Sequence, residues 1–168
     1  MSFIGTTGQG KVYAPGWFLA HEECVRKTYE IPDEGATVAD NGGKYVKMGT
    51  VYPAADATAI GIVYEDVDVT TGDMPGSVVL KGVVYENRLP QAVDTYSSAT
   101  VPSGGNPKEL GLYERSGSSP NYVYTLTTDT TAAEAKTYYS YDGKKIASAA
   151  KTALEGKGFV FLTEPTVN

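Results

Sequence analysis

The sequence predicts a mainly β protein with one short C-terminal helix, built as a β body interrupted by an inserted β module. Three observations carry this prediction. First, 19 glycines and 9 prolines punctuate 168 residues, so most elements must be short and end in turns. Second, 13 tyrosines stand against four phenylalanines and one tryptophan, and several of them alternate with valine or threonine in the period of a strand. Third, only residues 146–154 repeat apolar side chains at helical spacing, through Ile146, Ala149, Ala150, Ala153 and Leu154.

Taken in order, residues 1–43 carry little periodic pattern. Gly5, Gly8, Gly10, Pro15, Gly16, Pro32 and Gly35 leave no room for a long element, and the segment is expected to form an irregular N-terminal arm. Residues 17–29 are its exception, readable as a short helix or a strand. Asn41-Gly42-Gly43 signals a turn. Residues 45–50 then read as a short strand that breaks at Pro53. Residues 59–64 put Ile60, Ile62 and Tyr64 on one face and Ala59, Gly61 and Val63 on the other, the pattern of a strand buried on both sides. A polar turn over 65–76 follows. Residues 77–86, rich in valine, form the clearest strand, with Gly82 as a bulge or a point of close approach, and Pro90 ends it.

Residues 91–107 read as a linker, with Ser97, Ser98, Pro102, Ser103, Gly104, Gly105 and Pro107. Residues 110–143 form a separate β pattern. Tyr122, Tyr124 and Leu126 alternate with Val123, Thr125 and Thr127. Thr137, Tyr139 and Tyr141 alternate with Tyr138 and Ser140, so the two runs are expected to pair as a hairpin across the polar loop 129–135. A helix of about ten residues and a last strand at 159–162 complete the chain. The expected organisation is therefore an arm at 1–43, a body made of 44–90 and 145–168, and a linker plus inserted module at 91–144.

Composition removes several classes of function. One cysteine, Cys24, makes no intramolecular disulfide. One histidine and one cysteine cannot supply a four-ligand Cys/His zinc site. With a net charge of −6 and no Lys/Arg cluster, no nucleic-acid partner is expected. No apolar run approaches a membrane span, and the opening residues lack the pattern of a secretory leader, so no membrane partner is expected either.

Three local motifs suggest chemistry and fail on inspection. Gly5-Thr6-Thr7-Gly8-Gln9-Gly10-Lys11 satisfies G-x-x-x-x-G-K, but Val12 stands where a P-loop needs Ser or Thr to hold magnesium. His21-Glu22-Glu23-Cys24 gathers a base, carboxylates and a thiol with no third group in view to orient the imidazole. Residues 65–73 resemble a calcium loop starting at Asp66. Thr71 and Ser77 then occupy the places of its glycine and bidentate glutamate, and the glycine comes one residue late at Gly72. No catalytic residue, cofactor or metal site is assigned.

The run Val46-Lys47-Met48-Gly49-Thr50-Val51-Tyr52-Pro53-Ala54, then Asp56-Ala57-Thr58-Ala59-Ile60-Gly61-Ile62-Val63-Tyr64-Glu65-Asp66-Val67-Asp68-Val69-Thr70, continues through Gly72-Asp73-Met74-Pro75-Gly76-Ser77 to Arg88-Leu89-Pro90. It resembles the head fibre and capsid decoration proteins of tailed bacteriophages. Residues 149–162 resemble the C-terminal end of the same family. The resemblance implies a small β-clip-like domain, a homotrimer, the major capsid protein as partner, and a place on the outer capsid surface of the virion after synthesis in the host cytoplasm. It implies a structural protein that stabilises the head and is no enzyme. Short family members pass almost directly from the strand to the helix, so 91–144 is an addition, and parts of it resemble an accessory β segment of assorted virion proteins. On this reading the arm grips the capsid, with Trp17, Phe18 and Tyr13 as candidate capsid-binding residues, because interface hot spots favour aromatics. Two rivals remain open: a virion-surface adhesion module holding host glycan or cell-wall polymer through the tyrosine-rich insert, and an enzyme built on His21, Glu22, Glu23 or the Asp66/Asp68 pair.

Overall fold

The computed structural model describes residues 14–164. The expected class is what it shows: the described chain is mainly β, and it contains one short α-helix near the C-terminus. Two compact units divide it. Of the described residues, unit 1 holds 14–93 and 145–164, and unit 2 is Asp94–Lys144.

In unit 1, β1 (Val25–Ile31), β7 (Met74–Lys81), β5 (Gly61–Val63) and β4 (Val51–Tyr52) form an antiparallel sheet in that order. A second antiparallel sheet has the order β2 (Thr37–Val38), β3 (Lys44–Val46), β6 (Val67–Asp68). The third is a parallel pair of β8 (Val83–Tyr85) and β13 (Val160–Leu162). The central β5–β7 pairing explains the double-sided burial of the sequence pattern. Ile62 pairs with Val79 and both enter one core with Phe18, Val84, Leu89, Ala150, Leu154 and Phe159. Val63 pairs with Val78, and these two face a second core with Ile31, Val67 and Val69. Gly61 is required between them, because a Cβ there would fall on the Val79 carbonyl oxygen and a Val78 methyl. At Gly82 the long valine run breaks into β7 and β8, and its carbonyl accepts the Val160 N–H at 3.0 Å.

Three expectations change here. Residues 14–43 are no loose arm. Trp17–Ala20 is fastened to β8, with Tyr85 N–H to Phe18 O at 2.9 Å and Ala20 N–H to Val83 O at 2.8 Å, and residues 25–31 are strand β1, seven residues long. Glycine and proline spacing predicted irregularity, but an unpaired β7 edge offers the ladder that this local sequence cannot specify. The second change lies at 91–107, where the linker contains β9 (Val93–Ala99). The third is the hairpin. β11 (Asn121–Leu126) pairs with β10 (Tyr113–Ser118), and β12 (Tyr138–Lys145) pairs with the other side of β10, giving the sheet order β11-β10-β12-β9 in unit 2. The short Ser119-Pro120 connection closes sooner than the loop 129–135 does, so β11 takes β10 as its partner and not β12.

The helix α1 spans Ser148–Glu155 and buries Ala150 and Leu154. Between it and the body sits Glu86, 4% exposed, in a short 3-10 turn (Glu86–Arg88). Its carboxylate accepts the Ile146 N–H at 3.1 Å and the Lys151 Nζ at 2.7 Å. It thereby fixes the returning chain at the point where it re-enters unit 1. In unit 2 the loop before β12 is held by a polar network. Lys136 Nζ bonds Asp129 at 2.8 Å and Glu114 at 3.2 Å, and Tyr138 donates its hydroxyl to Asp129 at 2.7 Å.

Candidate functional site

Two surfaces carry the sequence candidates, one in each unit. On unit 1, Trp17 sits half-buried against the Arg88 guanidinium, 4.5 Å from the indole centroid, and the same guanidinium lies 4.5 Å from the Tyr85 ring. Arg88 also donates to the Trp17 carbonyl at 2.7 Å and makes a forked pair with Glu164, with Nε to Oε2 at 2.9 Å and Nη2 to Oε1. That guanidinium holds the Glu164 carboxyl below the usual carboxylate range. Phe18, the neighbouring residue, is 1% exposed in the unit 1 core. It is therefore withdrawn as a capsid contact: residues 15–18 form a turn whose Phe18 side chain is buried among Ile62, Val79, Val84 and Leu154. Tyr13 and the Gly5–Lys11 motif lie outside the described residues.

The other local candidates do not assemble into a catalytic site. The His21 Nδ1 accepts the N–H of Glu23 at 3.2 Å within its own turn, and Cys24 is half-buried beside Gly82. Asp66 accepts the Met48 N–H at 2.7 Å and Asp68 accepts the Thr70 N–H at 2.9 Å, so each carboxylate stabilises a loop. The Thr70 hydroxyl and N–H hold the Asp68 carboxyl below its ordinary range. Among the described residues no three His, Cys, Asp or Glu side chains gather as a metal group.

On unit 2 the alternation of the strands builds a tyrosine face. Along β10, Tyr113 and Arg115 point to one side, opposite Leu126 and Tyr124 of β11, and Tyr113 also faces Tyr139 of β12. The rings meet across the strands. Tyr96 stacks on Tyr124 with centroids 3.9 Å apart and planes 8° from parallel, and contacts Tyr113 at 5.1 Å and Tyr141 at 5.4 Å. Tyr139 meets Tyr124 edge-on at 5.3 Å. The Arg115 guanidinium lies over Tyr122 at 4.3 Å and Tyr139 at 5.0 Å. Tyr141 donates to Asp94 at 2.8 Å, and this bond to a carboxylate, with partial burial, pushes its phenol up to about 12. Such a face offers ring edges, hydroxyls, one cation and one anion together, a chemistry suited to polar ligands with apolar patches.

Tyr96, Asp94 and Arg115 went unnoticed in the sequence. Tyr96 and Asp94 fell in the supposed linker. Arg115 had a usable signal, its two-residue spacing from Tyr113, but only the strand order shows which rings it meets.

No family model matches the chain, and no curated protein or solved structure gives a significant match to it.

Proposed function

We propose that the chain is a capsid decoration, or head fibre, protein of a tailed bacteriophage, without enzymatic activity. One observation supports this reading above the others. The two stretches that resemble that family, 46–90 and 149–162, are separated in sequence by the inserted unit, yet they pack into one body. Helix α1 places Ala150 and Leu154 in the same core as Ile62, Val79 and Val84, and β13 pairs with β8. In this reading unit 1 is the β-clip-like domain, trimerises, and seats on the major capsid protein at the outer surface of the head, while unit 2 is carried as an addition. Trp17, half-buried where Phe18 is fully buried, is the contact to test first. The protein acts by mass action: a ligand that binds assembled capsid more tightly than free subunits stabilises the assembly, and a trimer bridging several capsomers adds avidity. The test adds purified protein to undecorated heads and measures occupancy and heat resistance. Saturable binding with a raised disruption temperature supports the reading, and heads that bind no protein refute it.

The tyrosine face favours a second reading, adhesion to a host-surface glycan or cell-wall polymer through unit 2. Replacing 94–144 by a short Gly-Ser turn separates the two: adhesion is lost and head binding stays if unit 2 is the adhesive part.

A further inference from the structure

We propose that β11 is a pairing edge for a second copy of this chain. The strand stands at the end of its sheet, and its residues are exposed at every position but Tyr124, which is half-buried. Val123 is 55% and Leu126 62% exposed. From Ser116 to Thr128 there is no Asp, Glu, Lys, Arg or His. Natural sheets protect such edges with charge, proline or extreme shortness. The other edges of the two four-stranded sheets use those devices: β1 carries Arg26, Lys27 and Glu30, β4 has two residues, and β9 carries Asp94. β11, entered from Pro120, is a six-residue edge with neither charge nor proline within it.

The neutrality of the edge also selects the occupant. With a net charge of −6, two copies repel over most approaches, whereas two β11 strands meet with no like charges between them. Antiparallel pairing about a two-fold axis at Tyr124 keeps every side chain on its own face of the sheet. It sets Tyr122 opposite Leu126, an aromatic–aliphatic pair, and Val123 opposite Thr125, a β-branched pair of the kind that stabilises adjacent strands. The tyrosine face would then run without interruption from one copy into the next. A strand pair of this length buries less than the roughly 1,200 Å² of a stable standard interface. The contact is therefore concentration-dependent, and is strengthened where copies are held side by side.

Light scattering on the full chain, over a wide range of protein concentration, tests this. The weight-average mass of the wild type doubles from its dilute value. Val123→Lys and Thr125→Lys, both at exposed sites and each placing two like charges beside the axis, hold the mass at the dilute value. Val38→Lys, on β2 and at least as exposed, associates as the wild type does. Unchanged far-ultraviolet circular dichroism in each variant shows that folding is not the cause. A wild-type mass that stays constant with concentration, a doubling that persists in either β11 variant, or its loss in Val38→Lys as well, overturns the proposal. The proposal is independent of the capsid reading: heads that bind Val123→Lys normally leave that reading intact, whatever the mass measurement gives.

Discussion

Removing Lys151 should expose how much the body depends on the clasp between Glu86 and the returning chain. The Glu86 side chain is 5% exposed and that of Lys151 30%, with 2.7 Å between Nζ and Oε2. Breaking a fully buried pair by deleting one partner costs about 3–5 kcal/mol, because the remaining charge is left without compensation. Here water reaches the lysine end and the Ile146 N–H still serves the carboxylate, so Lys151→Met should cost about 2 kcal/mol. For a chain of this size that lowers Tm by about 4–8 °C. The double variant Glu86→Gln/Lys151→Met removes both charges and keeps an acceptor for Ile146, and should recover most of the loss. Trp17 is the only tryptophan and belongs to unit 1, so its fluorescence reports the melting of that unit selectively. A Lys151→Met shift under about 1 °C, or a double variant no better than Lys151→Met, would refute the reasoning.

Three further outcomes are expected. Phe18→Ala should destabilise unit 1 by about 3–5 kcal/mol as a core truncation, whereas Trp17→Ala should leave a folded protein with weakened head binding; urea melts paired with a head-binding assay distinguish the two. Acidification should weaken unit 2, because Lys136 and the Tyr138 hydroxyl hold the Asp129 carboxyl below its ordinary range. Stability from such a group is present above the unfolded-state value and is lost as pH falls through the lower folded value, that is below about pH 4. Asp129→Asn should flatten this dependence in melts followed by near-ultraviolet circular dichroism. In alkaline titration by ultraviolet absorbance, one tyrosine should ionise late, near 12. Tyr141→Phe should abolish that late step and Asp94→Asn should bring it earlier, since the carboxylate acceptor opposes the phenolate.

Much of the body was legible because its signals are local. The alternation at 59–64 and the valine run at 77–86 state which strands are buried on both faces, and the 3.6 period at 146–154 states the helix. What stayed hidden is set by partners distant in sequence. Strand β1 exists because β7 needs an edge, with Tyr29 opposite Gly76, and nothing within 25–31 announces β7. β11 pairs with β10 and not with β12 through loop closure, a comparison between segments. The tyrosine face was foreseen as composition only. Its order, with Arg115 over Tyr122 and Tyr139 and with Asp94 beneath Tyr141, depends on strand neighbours that the alternation leaves undetermined. Phe18 shows the same limit: an aromatic pair in a poorly patterned segment does not reveal which member faces inward.

The adjacency of β9 and β12 bears on the order in which the chain acquires its structure. Unit 2 is contiguous, and its first and last strands are neighbours, tied by the Thr95 hydroxyl to the Gly143 carbonyl at 2.7 Å. It can therefore form before α1 and β13 have left the ribosome. Once formed, it holds residues 94 and 144 close together, so that β8 and β13, far apart along the chain, meet as if a short loop joined them. The closure entropy saved is on the order of 1 kcal/mol, since each halving of a loop is worth about 0.6 kcal/mol. The inserted unit is then a folding aid to the body that carries it, and a flexible linker of the same length in its place should slow refolding of the Trp17 signal.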